Sequence, residues 1–193
     1  MAKTGRLRII GGRWRGRRIP FAAFAGVRPT PDRIRETVFN WLQGYIEGSR
    51  CLDLFAGSGA FGFEALSRGA ASVVMVEQDL RVVQTLQGCA GLLGSGMETG
   101  MNTGRLEVVW SDAADFLNRR GVPPFDIAFL DPPYRDASLA RWAERLAGSG
   151  LLARAAWIYL EAPSHLTPEL PPAWSLVRSK RSGQVGYHLA RTD

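Results

Sequence analysis

An open, mostly parallel α/β sheet is the fold class the sequence predicts, and three observations carry that expectation. Short apolar runs of buried type alternate with segments whose apolar residues recur at helical spacing, the pattern of βα units. The run at 51–54 empties through the turn Ala56-Gly57-Ser58-Gly59 into an apolar helix. Two later runs end in an acid, Glu77 and Asp131, at the strand end where open α/β sheets hold their ligands. A chain of 193 residues suits one such domain with a short appendage and is too short for two.

Residues 6–20 predict a small β-hairpin with a glycine turn, ending at Pro20. Arg8, Arg13, Arg15, Arg17 and Arg18 around Trp14 offer phosphate contacts plus an aromatic face for an unpaired base, the usual combination for RNA. Leu7, Ile9, Ile10 and Ile19 argue against a merely solvated tail. Residues 21–29 read as a loop carrying Arg28. Thr30-Pro31-Asp32 is a helix start, with a hydroxyl N-cap, proline at the first helical position and an acid in the first turn. Ile34, Val38, Trp41, Leu42 and Tyr45 form the buried stripe of that helix, while Arg33, Glu36 and Asn40 align on another face. Arg33 is thereby a candidate for substrate contact at the pocket border.

The glycine loop at 57–62 fits more than one ligand. Gly57 and Gly59 let a ligand lie on the backbone, with the amides of the helix start facing it. Gly57-x-Gly59-x-x-Gly62 also fits the dinucleotide fingerprint, so the glycines alone say nucleotide-like ligand. Asp53, just ahead of them, repels a pyrophosphate but suits the ammonium and sulfonium groups of S-adenosylmethionine, which favours the methyl donor over NAD. Residues 71–77 are a buried strand that delivers Glu77 as a ribose ligand. Residues 80–93 give a helix that fades into a glycine-rich loop over 94–104.

A strand over 105–110 leads into Asp112 and Ala113. Asp112 fits a plain helix N-cap and equally a contact to the exocyclic amine of adenine, with the Ala113 amide donating to a ring nitrogen; one carboxylate can do both. Residues 125–134 end in Asp131-Pro132-Pro133-Tyr134, a strand followed by a turn that two prolines make rigid, beside an aromatic face. This suits methylation of an exocyclic amine: the carboxylate and a proline carbonyl hold the N–H groups and the base lies on the Tyr ring. Residues around 139–146 make a helix, 155–161 a strand, and 174–180 with 184–190 a hairpin turning at Ser182-Gly183, which implies an antiparallel member at one sheet edge. Arg178, Lys180 and Arg181 either extend the basic surface or protect that edge.

Composition narrows the class further. Cys51 and Cys89 have neither metal-ligand spacing nor a disulfide framework, which suits a reducing cytoplasm. No apolar run approaches the roughly 20 residues that span a bilayer, and no signal peptide follows the basic start, so a soluble cytoplasmic protein is expected. His165 and His188 stand alone, so no metal site is expected. Residues 1–35 hold ten basic side chains and one acidic one, a net of +9 against +6 for the whole chain, so the remainder carries −3. The basic start thus reads as a polyanion-binding segment on a mildly acidic domain.

The combination of Asp53-x-Phe55-x-Gly57-x-Gly59 with Asp131-Pro-Pro-Tyr134 resembles the class I S-adenosylmethionine-dependent amino-methyltransferases. More narrowly, residues 8–17, 28–42, 52–59, 64–70 and 129–134 resemble the bacterial RsmD family, which methylates guanine N2 in 16S ribosomal RNA. That resemblance covers nearly the whole chain. It implies a Rossmann-like, seven-stranded, mostly parallel sheet with an antiparallel last strand, divided as an RNA-binding hairpin extension over 1–29 and a methyltransferase domain over 30–193. It implies that Asp131, Pro132, Pro133 and Tyr134 hold the target guanine, and that Asp53, Phe55, Ala56, Gly57, Gly59, Glu77, Gln78, Asp112 and Ala113 hold S-adenosylmethionine. RNA contacts then fall to Arg8, Arg13, Trp14, Arg15, Arg17, Arg18, Arg28 and Arg33, with 16S rRNA in a partly assembled small ribosomal subunit as partner and a monomer as the working form. The glycine-rich insertion around 94–104 departs from the family pattern. A DNA adenine-N6 methyltransferase, a nicotinamide oxidoreductase and a non-catalytic RNA-binding protein are the rival readings. The first lacks a domain for reading duplex sequence, and the second leaves Asp131 to Tyr134 without a role.

Overall fold

The structure is a computed structural model and describes residues 4–23, 27–94, 105–133 and 139–193. Its amino-terminal strands are β1 (Thr4–Arg8) and β2 (Arg18–Ala22), followed by α1 (Asp32–Trp41). Then come β3 (Arg50–Asp53), α2 (Ala60–Ser67), β4 (Ser72–Glu77), α3 (Leu80–Leu93), β5 (Arg105–Trp110), α4 (Ala113–Leu117) and β6 (Phe125–Leu130). The chain closes with α5 (Leu139–Gly148), β7 (Leu152–Pro163), β8 (Trp174–Ser182) and β9 (Val185–Thr192).

Seven of these strands make one sheet in the order β5-β4-β3-β6-β7-β9-β8. β3 to β7 run parallel, whereas β9 is antiparallel to both β7 and β8. The reversed strand is last in the chain but lies inside the sheet; β8 forms the edge. The expected antiparallel hairpin is at this end of the sheet, and it inserts its second strand next to β7. Parallel strands need cover on both faces, and it is supplied here. Hydrophobic residues of α1, α2, α3 and the β1–β2 hairpin pack on one face around Phe63, Met75 and Phe129, and those of α4 and α5 on the other around Leu52, Leu130 and Ile158.

The amino-terminal hairpin exists, with β1 antiparallel to β2 and Leu7 opposite Ile19. Its connection is not a tight Gly-Gly turn, for residues 9–17 include a single 3-10 turn at Gly12–Trp14, and β2 runs on past Pro20 to Ala22. The hairpin docks on α2 through one carboxylate. Glu64 accepts from the amides of Ile10 and Gly11, both at 2.8 Å, while Ser67 Oγ donates to the Gly11 carbonyl at 2.6 Å. Arg35 and Arg68 complete the knot, pairing with Glu64 at 3.4 and 2.7 Å, and Arg35 also donates to the Arg8 carbonyl. Arg35 and Glu64 are both fully buried.

Two helix-level expectations are corrected. Pro31, not Thr30, is the N-cap of α1: the amides of Ile34 and Arg35 donate to the Pro31 carbonyl. Tyr45 is exposed and lies against Trp157, because the helix ends at Trp41 and the buried stripe with it at Leu42. The loop predicted around 94–104 begins with Gly94, which caps α3 in the left-handed region; residues 95–104 lie outside the described part of the chain.

Candidate active site

The carboxyl ends of neighbouring strands gather acids. Asp53 closes β3, Glu77 closes β4, Asp112 follows β5 and Asp131 follows β6. Asp53 pairs in register with both Met75 and Phe129, whose side chains belong to the α1–α2 face of the sheet. By the two-residue alternation of strands, Asp53, Glu77 and Asp131 therefore point to that same face.

The turn after β3 is shaped by its glycines. Gly59 has φ +74°, and a Cβ there would lie 2.5 Å from the Phe63 ring. A Cβ on Gly62 would lie 2.3 Å from Met75 Cε, so this glycine lets α2 pack tightly on β4, and its amide donates to Asp53 Oδ2 at 3.1 Å. Gly57 differs. Its φ is +49° and nothing lies closer than 3.8 Å to the place of its missing Cβ, so its surface is open for a ligand. Glu77 organises the loop from the next strand, accepting from the Gly57 amide at 3.0 Å through one oxygen and from the Asp79 amide at 2.9 Å through the other.

Burial pushes the Asp53 carboxyl up to about 7, against the opposing pull of the Gly62 amide and with a further push from the Glu77 charge. Asp131 is also raised well above the carboxylate range, by burial first and then by the charges of Glu161 and Asp53, while a side-chain hydrogen bond with Thr30 works the other way. A site that crowds carboxyl groups in this way is short of positive charge, and a cationic ligand relieves it. Phe55 meets Trp142 edge-on, and Asp112 caps α4 by accepting from the Ala114 amide at 2.7 Å. The Trp110 indole donates to the Gln78 carbonyl at 3.0 Å, fixing the backbone beyond Glu77. Pro132 is buried and Pro133 exposed; Tyr134 lies outside the described residues.

The family model described as Conserved hypothetical protein 95 matches residues 7–191. Ribosomal RNA small subunit methyltransferase D of Escherichia coli K12 is 45% identical over 98% of this chain and 92% of its own length. The protein of the same name from Haemophilus influenzae is 40% identical over 96% and 93%. This chain belongs to the RsmD family. The solved structure of E. coli yhhF superposes with a TM-score of 0.87 at 42% identity, covering 98% of this chain and 99% of that one.

The arginines that sequence reasoning assigns to RNA divide in this RsmD-family chain. Arg15, Arg17, Arg18 and Arg28 are exposed. Arg8 is exposed but paired with Asp32 at 2.9 Å. Trp14 is a correction: it is 7% exposed, its amide donates to Ser67 Oγ, and the Arg13 guanidinium lies 4.2 Å from its ring. Its ring belongs to the core that seats the hairpin and offers no open face to a base. Arg33, one helical turn beyond the Thr30 that bonds Asp131, donates to Ser182 Oγ at the end of β8, joining α1 to the exposed edge strand with Arg178, Lys180 and Arg181. Two site residues escape sequence reasoning. Thr30 reads there as a cap. Glu161 ends the apolar run 156–160 as Glu77 and Asp131 end theirs, a signal that is present.

Proposed function

We propose that this protein transfers a methyl group from S-adenosylmethionine to the exocyclic N2 of a guanosine in 16S rRNA of the small ribosomal subunit. The observation that carries the reading is the placement of Asp131-Pro132-Pro133 directly after β6, the neighbour of the strand that leads into the glycine loop, with Asp131 and Asp53 on one face of the sheet. Membership of the RsmD family supports it. The bare Gly57 surface and the raised Asp53 carboxyl fit a cationic cosubstrate: Asp53 faces its charged groups, Glu77 takes ribose hydroxyls, and Asp112 with the Ala113 amide takes the adenine edge. When bound, S-adenosylmethionine supplies an electrophilic methyl carbon, whose bond to sulfur breaks, electron pair to sulfur, as the bond to N2 forms.

The residues of the chain supply positioning and charge. A conjugated amine is a poor nucleophile, and alignment of reacting groups contributes on the order of 7–11 kcal/mol in good cases. Asp131 accepts an N–H of the target amine and takes the proton that N2 loses once its lone pair has formed the new bond. The two prolines hold the backbone that aims it. Neither cysteine serves as nucleophile: burial pushes Cys51 up to about 12 and Cys89 to about 11. The target must leave its stack to reach Asp131, and residues 1–29 form the RNA-binding extension that holds its surroundings in a partly assembled subunit. Transfer of labelled methyl from S-adenosylmethionine to undermethylated small subunits, with duplex DNA alongside, tests the reading. Label in rRNA alone is expected; label in DNA alone overturns it.

A further inference from the structure

Glu161 is an acid near the carboxyl end of the sheet to which the proposed transfer gives no task. β6 and β7 run parallel with Leu130 opposite Leu160, so Asp131 and Glu161 are the next residues on neighbouring strands. Phe129 and Tyr159, two positions earlier, both belong to the α1–α2 face, and alternation sends both acids to that face as well. Glu161 is 7% exposed, and the Tyr159 hydroxyl donates to its Oε2 at 2.8 Å. The Tyr159 ring packs against the stacked pair Phe61 and Phe129, with centroids 4.5 and 6.4 Å away. Asp53 from β3 and Thr30 from the loop before α1 face the same spot, and Tyr187 of β9 pairs with Glu161 in register. A second buried carboxyl beside Asp131 is costly for the fold, and raises the Asp131 pKa. Such a cost points to a task at the site.

Building on the guanine-N2 reading, we propose that Glu161 accepts the N1–H of the target base and so selects guanine. The Watson–Crick edge of guanine presents the N2 amine and N1–H side by side, both donors. Two adjacent carboxylates match them, Asp131 on the amine and Glu161 on N1–H. A carboxylate has about four lone-pair sites, so one that accepts from a tyrosine hydroxyl can accept from a base as well. A base with a bare N1 sets lone pair against carboxylate, which rejects it by repulsion as well as by the missing bond. The selection is thus built into the strand pairing of β6 with β7.

The test replaces the methylated guanosine by 2-aminopurine riboside, which keeps the reacting amine but has an acceptor at N1. 16S rRNA ligated from fragments to carry either base is reassembled into subunits and assayed for transfer. The wild-type protein is expected to prefer guanosine on the order of 100-fold or more, the range of sites built to bond a donor. Glu161→Gln, whose amide can donate to a bare N1, is expected to shrink that preference at least about tenfold, and Tyr159→Phe to shrink it less. A wild-type preference of only a few-fold overturns the proposal whether or not either variant folds. So does a folded Glu161→Gln protein that slows both substrates equally. Undermethylated natural subunits separate the two readings: if they too accept no methyl, the guanine-N2 reading itself falls and the proposal with it.

Discussion

Asp53 makes the most direct residue-scale prediction. Its folded-state pKa of about 7 lies above the ordinary value of 3.8, so the ligand-free protein gains stability from it at low pH and loses that gain as pH rises from about 4 through 7. Cosubstrate binding runs the opposite way. A cation favours the ionised carboxylate, so below pH 7 binding must expel a proton, and affinity for S-adenosylmethionine rises by up to about tenfold per pH unit before levelling off. Calorimetric titration between about pH 5.5 and 8.5 measures this, and Asp53→Asn should flatten the profile. The core residues of the hairpin make a second prediction. Trp14→Ala should cost about 3–5 kcal/mol in urea unfolding, the range for a large buried aromatic, where a surface stacking residue would cost almost nothing. Glu64→Ala leaves the buried Arg35 guanidinium without its buried carboxylate partner and should cost about 3–5 kcal/mol, with faster hydrogen exchange at the Ile10 and Gly11 amides.

The hairpin is the element through which the proposed RNA binding is tied to the fold. One face of its strands, Leu7 and Ile19, is sealed in the core, while Arg18 at the start of β2 and Arg15 and Arg17 of the connection before it are exposed. Replacing these three by Gln should weaken RNA binding and flatten its dependence on log salt by about one for each phosphate no longer neutralised, while leaving affinity for S-adenosylmethionine unchanged. Filter binding at a series of salt concentrations reads the slope. A slope equal to that of the unmutated protein would place the RNA elsewhere, the basic β8 edge being the alternative surface. At this scale the sequence is informative wherever a signal is local. The strand at 105–110 and the helix at 80–93 follow from apolar period, and the structure has them there; the hairpin turn expected at Ser182-Gly183 lies one position later, at Gly183-Gln184, because Ser182 still pairs with Val185. The connection over 9–17 does not follow, because its shape depends on Glu64 and Ser67, more than fifty positions away.

Across the whole molecule, charge and topology agree. The net of +9 over residues 1–35 sits on a remainder of −3, and the acids of that remainder include those at the strand ends. In the proposed function the basic surface handles the polyanion and the acids at the strand ends the cationic cosubstrate, and the two sets of residues meet at the start of α1. There Arg8 pairs with Asp32, two residues beyond the Thr30 that bonds Asp131. The acid at the end of each buried strand is legible one run at a time. Which strands are neighbours is not, and that is why the pairing of Glu161 with Asp131 and the place of β9 emerge only from the fold. The central claim is that Asp131 presents a guanine amine to a bound methyl donor. Mass spectrometry of 16S rRNA, after undermethylated small subunits are incubated with S-adenosylmethionine and either the protein or its Asp131→Ala variant, tests it most directly. The account predicts N2-methylguanosine with the unmutated protein and none with the variant, although the variant still binds the cosubstrate; equal methylation by both, or a different modified base, would contradict it.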